Sequence, residues 1–277
     1  MPSLNPVSGF VDVEGGKLYY EVAGEGHPLV LIHASVGNRT MWDGHFEELA
    51  KKYRVIRYDT RSYGKTTTEA VSYSNRQDLL DLLDHLGVDK AYLIGVSRGG
   101  QIAIDFTLEH PERVDALIPV AAGLSGYDLE SNDLVPAHEW EAFNRMEELY
   151  EKGEFVKFAE MEAYHCVDGP GQPKGRADSG VLERVLAMNT ENFTREEAKP
   201  TARPLDPPAA GRLGEIKVPT LIFAGDLDET ISTLMADALE AGIPGARKVV
   251  FHDTAHMLNM EKPEEFNRTV LEFLEGV

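Results

Sequence analysis

Ser97 stands between two glycines, in Gly95-Val96-Ser97-Arg98-Gly99, where the apolar run from Ala91 gives way to a helical stretch starting at Arg98. A turn that sharp puts the serine in an unfavourable backbone conformation, and glycine two residues to either side leaves room for it. The hydroxyl is thereby lifted into the open. A serine hydroxyl is a poor nucleophile at neutral pH, so it needs a base to accept its proton and an acid to orient that base. Candidates occur late in the chain: Asp226 and Asp228 directly after one apolar run, and His256 just beyond the last. Together they supply a nucleophile, an orienting acid and a base for covalent acyl chemistry.

A rival chemistry is zinc binding, because His252-Asp253-Thr254-Ala255-His256 superficially resembles the His-Glu-x-x-His pattern that places two histidines on one helix face. Here the β-rich run Lys248-Val-Val-Phe251 leads into the pair and the middle acid is aspartate, one carbon short. No metal site is expected, and His252 reads as a surface residue at a strand end. His165, beside Cys166, reads as a solvent or packing residue.

Groups so far apart in the chain meet only if the fold gathers them. Short apolar runs alternate with amphipathic helices through residue 124, the pattern of a mostly parallel sheet covered on both faces. The runs Phe10–Val13 and Lys17–Val22 flank Glu14-Gly15-Gly16 and predict a hairpin. Leu29–Ile32, Tyr53–Tyr58, Ala91–Ile94 and Val114–Val120 follow as strands, with helices near Met41–Lys51, Arg76–Leu86 and Arg98–Glu109. The second helix carries Leu79, Leu82, Leu83 and Leu86 on one face.

From about Ser125 to Ala202 the alternation stops. Trp140, Phe143, Phe155, Phe158, Val181, Leu182, Val185 and Leu186 fall at helical spacings, and no strand is predicted. A helical insertion over 125–202 is expected, between core segments 1–124 and 203–277. The proline-rich stretch from Lys199 to Pro208 marks the return to the core. Thr220–Ala224 and Lys248–Phe251 read as the last strands and Pro263–Leu274 as a closing helix. In a doubly wound sheet the loops that carry Ser97, Asp228 and His256 open at the carboxyl edge, so the three converge on one site.

Composition narrows the partners. The 277 residues include 47 acidic and 27 basic side chains, a formal net charge of −20. Such a surface repels nucleic acid and anionic membranes. The single cysteine, Cys166, excludes an internal disulfide framework and a cysteine-based zinc site. The start has neither a basic n-region nor an apolar h-region, and no apolar run is long enough to span a bilayer, so a cytoplasmic protein is expected.

Several stretches, in order, resemble the α/β-hydrolase superfamily in its branch with a helical cap after the sixth strand. They are Leu31-Ile-His33-Ala34-Ser35, Trp42, Tyr58-Asp-Thr-Arg61-Ser-Tyr-Gly64, the turn at Ser97, His110-Pro-Glu-Arg113, Val218-Pro-Thr-Leu, Gly225-Asp-Leu-Asp228, and Ala255-His256 before Glu261-Lys-Pro263. Their tenor is similar to small esterases, enol-lactone hydrolases and cofactor-free haloperoxidases.

The resemblance implies a catalytic triad of Ser97, Asp228 and His256, with Asp228 rather than Asp226 as the acid, and no cofactor. It implies an oxyanion hole from the backbone N–H groups of Ser35 and Arg98. Ala34 suits that loop unless a positive φ is needed there, and His33 reads as a loop-ordering residue. Arg98 is expected either to pair with a nearby carboxylate such as Asp59 or to recognise a carboxylate-bearing substrate. Trp140 and Phe143 are candidate substrate contacts from the cap. Ester or lactone hydrolysis is the activity implied, with C–C bond hydrolysis, perhydrolysis or a non-catalytic receptor on the same fold as alternatives.

Overall fold

The hairpin expected around Gly15 forms, β1 (Val7–Val13) pairing antiparallel with β2 (Gly16–Ala23). The computed structural model describes residues 6–128, 134–195 and 200–277; residues 1–5 and Lys199 of the proline-rich stretch lie outside them. Strand β3 (Pro28–Ile32) is followed by a 3₁₀ turn at Arg39–Trp42, helix α1 (Asp43–Leu49) and β4 (Arg54–Tyr58). Two-residue strands β5 (Thr67–Thr68) and β6 (Ser72–Tyr73) precede α2 (Asn75–His85), β7 (Ala91–Val96), α3 (Arg98–Glu109) and β8 (Val114–Val120).

Helices α4 (Ala137–Glu151), α5 (Phe155–Asp168) and α6 (Ser179–Thr194) come next, then the short strand β9 (Thr201–Ala202). The core resumes with β10 (Leu221–Gly225), α7 (Thr230–Gly242), β11 (Arg247–Phe251), α8 (Leu258–Glu261) and α9 (Pro263–Leu274). Some features depart from expectation. Helices α7 and α8 and the short strands β5 and β6 were not predicted, the expected first helix opens as a 3₁₀ turn, and β9, at the end of the stretch where no strand is expected, pairs with β6 in a small parallel sheet of its own.

The main sheet runs β1-β2-β4-β3-β7-β8-β10-β11, parallel from β4 onward, with β5 beside β2. Strands β3 and β7 are neighbours, and the connection out of β3 runs to β4 on one side while that out of β7 runs to β8 on the other. Ligands in open α/β sheets bind at such a reversal, outside the carboxyl ends of the strands. The loop holding Ser35 leaves β3 there, and Ser97 leaves β7 beside it.

Both sheet faces are apolar. On one, Leu79, Leu82 and Leu83 of α2 are fully buried against Ile102 and Phe106 of α3 and the sheet residues Val30, Ile56 and Leu93. Each such leucine contributes about 2 kcal/mol relative to exposure. On the other, Phe223 meets Phe266 edge to face at 5.3 Å and Phe251 packs tilted against both at 5.2 and 6.4 Å, joining α9 to the last two strands. These contacts fix the strand ends from which the site is built.

Candidate active site

Ser97 alone makes the turn from β7 into α3, with φ 54° and ψ −117°. Its N–H donates to Val120 O (2.8 Å), and its carbonyl accepts from Gln101 N (3.0 Å) and Gly123 N (3.1 Å). Those bonds hold a conformation that costs a non-glycine residue roughly 1–3 kcal/mol. A Cβ at Gly95 would lie 2.1 Å from Gly99 O, and one at Gly99 would lie 2.4 Å from Ile32 O. Glycine is therefore obligatory at both positions, as the spacing predicts.

His256 follows β11 and is buried. Its Nδ1 lies 2.9 and 3.0 Å from the two carboxylate oxygens of Asp228, in the turn after β10. That carboxylate also accepts from Glu229 N at 2.7 Å, which fixes its orientation. With Nδ1 committed to Asp228, Nε2 is the ring atom left to take a proton. Burial works against the imidazolium, but Asp228, Glu229 and Glu162 outweigh it and push the His256 pKa up to about 9. Asp226 is directed elsewhere, bonding the exposed His252 at 3.0 Å. The two histidines of the 252–256 run thus serve different carboxylates.

Ser97 and His256 line one cavity of about 360 Å³, together with Ser35 and Glu229 from the core. Its opposite wall comes from α4 and α5. Phe143 and Met146 of the first helix and Phe158, Glu162, His165 and Cys166 of the second face it, with Glu147 exposed beside them. Phe143 lines the cavity, whereas Trp140 stacks edge to face on Phe143 at 5.8 Å and packs against the core instead.

His165 is more than a packing residue. Its Nε2 meets Glu229 Oε2 at 3.1 Å inside the cavity, and together with His256 it holds the Glu229 carboxyl below the usual range despite burial. Burial pushes Glu162 up and pushes the Cys166 thiol far up, leaving the latter protonated. Glu162, Glu229 and His165 were not predicted as site residues. They lie on amphipathic or turn segments without a motif, and only the fold brings them to Ser97.

The loop after β3 is ordered by His33, which is buried and held neutral, its pKa lowered to about 3 by desolvation. Its Nε2 accepts from Thr60 N (3.0 Å), so Nδ1 carries the hydrogen and donates to Ala34 O (2.8 Å). Ala34 is absent from the positive-φ residues, so alanine fits without strain. The N–H of Ser35 meets no protein acceptor among the described residues. That of Arg98 opens α3, where the first amides have no intrahelical partner.

The pairing of Arg98 with Asp59 is not formed. Asp59 is taken by Arg39, which reaches it through its Nη1 and its backbone N–H, both at 2.8 Å, with Lys65 N at 2.8 Å as a third donor. Arg98 instead donates to Thr60 Oγ1 (2.8 Å) and Asn75 Oδ1 (3.1 Å), with its guanidinium 5.0 Å from the centre of the Tyr63 ring. Its side chain does not line the cavity, and it braces the Thr60 loop that holds His33.

Residues 29–269 match the model of the alpha/beta hydrolase family. A 2-hydroxy-6-oxononadienedioate/2-hydroxy-6-oxononatrienedioate hydrolase of Paraburkholderia phymatum is 31% identical, covering 96% of this chain and 95% of that protein. A 2-hydroxy-6-oxo-6-phenylhexa-2,4-dienoate hydrolase of Comamonas testosteroni is 26% identical over 95% of this chain and 93% of its own length. Among solved structures, Est816, described as an N-acyl homoserine lactone degrading enzyme, superposes with a TM-score of 0.72 at 26% identity, covering 96% of this chain and all of that one. The carboxylesterase CesB of Bacillus subtilis, at 20% identity and a TM-score of 0.74, shares the fold over 99% of this chain and 93% of its own. With the family model spanning most of its length, the strained serine turn and the sheet order described above, this chain belongs to the alpha/beta hydrolase family.

Proposed function

We propose that this hydrolase cleaves carboxylic esters or lactones through an acyl-enzyme formed on Ser97. The observation that carries the reading is Ser97 in its strained turn, facing the same cavity as a histidine whose Nδ1 is held by Asp228. Ser97 Oγ attacks the carbonyl while His256 Nε2 accepts its proton, and Asp228 stabilises the resulting cation. The oxyanion is held by the N–H groups of Ser35 and Arg98. Collapse expels the alcohol, which takes the proton back from His256. Water, activated by the same imidazole, then releases the acid. Labelling with a fluorophosphonate should give one adduct, at Ser97, by peptide mass spectrometry, and an adduct elsewhere overturns the assignment.

C–C bond hydrolysis is the second reading, drawn from relatives whose names specify dienoate and dioate substrates. The cavity lining includes three glutamates and neither lysine nor arginine among the described residues, which disfavours the carboxylate-bearing substrates those names specify.

Residues 125–202 are read as a cap that sets substrate size. Phe143→Ala should shift preference toward longer acyl chains while changing kcat/KM for an acetyl ester by less than about threefold, because the enlarged cavity lies away from the reacting bond. Equal losses across a series of p-nitrophenyl esters would show that Phe143 only supports the fold.

A pKa near 9 for His256 sets the sign of the pH dependence. The base works only when neutral, so kcat/KM should rise about tenfold per unit up to about pH 9 and then level off. Stability runs the other way. A group whose pKa is raised on folding contributes stability that is complete below its unfolded value near 6.5 and lost as pH rises through about 9. A pH–rate profile already flat from pH 7 would contradict the elevated value.

A further inference from the structure

The two N–H groups assigned to the oxyanion, those of Ser35 and Arg98, come from different loops, yet one run of hydrogen bonds joins them. The peptide that carries the Ser35 N–H has Ala34 O at its other end, and a planar trans peptide points the two in opposite directions. Ala34 O is held twice, by His33 Nδ1 at 2.8 Å and by Gly37 N at 3.2 Å, so the direction of the Ser35 N–H depends on what holds His33. That ring accepts at Nε2 from Thr60 N at 3.0 Å and meets Thr60 Oγ1 at 3.1 Å. Thr60 Oγ1 in turn accepts from Arg98 Nη1 at 2.8 Å, which leaves its single O–H to donate to His33. The guanidinium is itself fixed, by Asn75 Oδ1 at 3.1 Å and by the Tyr63 ring at 5.0 Å, and the same ring lies 4.8 Å from that of His33. Burial keeps His33 neutral and the charges of Arg98 and Arg39 act in the same direction, so Nε2 stays an acceptor.

We propose that Arg98 is a positioning residue for both halves of the oxyanion hole: its backbone N–H is one donor, and its side chain, through Thr60 and His33, orients the peptide that carries the other. The inference rests on the acyl-enzyme reading and its two oxyanion donors. Because the guanidinium does not line the cavity, it acts without touching substrate.

Arg98→Met keeps the backbone donor and removes the bond to Thr60. It should lower kcat for p-nitrophenyl butyrate about tenfold, short of the 10²–10³ lost when an oxyanion donor is deleted outright, with KM within about twofold. Affinity for propylboronic acid, which forms a tetrahedral adduct on a reactive serine, should fall by the same factor. Thr60→Val should reproduce both losses, Thr60→Ser should stay within about threefold of wild type, and the double variant Arg98→Met/Thr60→Val should lose no more than the worse single one. Losses that multiply in the double variant, an effect confined to KM, or full kcat in Thr60→Val overturns the proposal. So does ¹⁵N spectroscopy of the wild type that finds the His33 hydrogen on Nε2, a result that requires no variant to fold. The boronate separates this inference from the ester reading. A wild type that binds it but hydrolyses no ester loses the ester reading, and the boronate affinities of the variants then decide the linkage. Ester hydrolysis with equal boronate affinity in wild type and variants removes the linkage alone, and a wild type with neither hydrolysis nor boronate binding removes both.

Discussion

Replacing Ser97 with alanine is expected to lower kcat on an activated ester by on the order of 10⁶-fold, the loss seen when a triad serine is removed and only binding and the oxyanion site remain. The protein should stay folded, because the turn is held by backbone bonds to Val120, Gln101 and Gly123 rather than by the hydroxyl. Burst kinetics should vanish as well, since no acyl-enzyme can accumulate. Turnover within tenfold of wild type would place the nucleophile elsewhere and remove the covalent mechanism.

Asp228→Asn should reduce kcat on the order of 10⁴-fold with little change in structure. The carboxylate accepts from Nδ1 and so keeps Nε2 free, whereas an amide can donate to Nδ1 and stabilise the tautomer with the proton on the wrong nitrogen. The pH–rate profile of this variant should also level off well below pH 9, because the largest of the charges that lift the imidazole is gone. Asp226→Asn is the control. Its partner is the exposed His252, so its effect should be less than about threefold. A larger loss from Asp226→Asn than from Asp228→Asn, with both proteins folded, reverses the assignment.

The parts of the site legible in the sequence are those whose chemistry demands particular backbone. Gly95 and Gly99 mark the turn because a Cβ at either collides with main chain, and Gly225-Asp226-Leu227-Asp228 marks a strand end. Helix α2 was readable from Leu79, Leu82 and Leu83, which are all buried. Helix α7 had a comparable signal in Ile231, Met235 and Leu239, recurring every four residues, obscured by the small residues between them. Strands β6 and β9 had none, since they are two residues long and their partners lie some 130 positions apart in the chain.

Side-chain partnerships were the least legible. Asp59 has two arginines in plausible reach, and Arg39 wins because the 3₁₀ turn after β3 presents both its backbone N–H and its side chain to the carboxylate. Arg98, at the start of α3, is left with uncharged acceptors. Glu162 and His165 owe their place to the packing of α5 against α4 and α6, which no local pattern encodes.

The conformation of Ser97 has a consequence for how this chain can evolve. At φ 54° and ψ −117° the residue best suited to position 97 on conformational grounds is glycine, so the reactive side chain is held where the backbone alone would reject it. Selection for heat resistance alone would therefore press against the hydroxyl, and only selection for turnover retains it. Thermostabilising libraries of this enzyme are accordingly best built with position 97 held constant and with activity screened in every round.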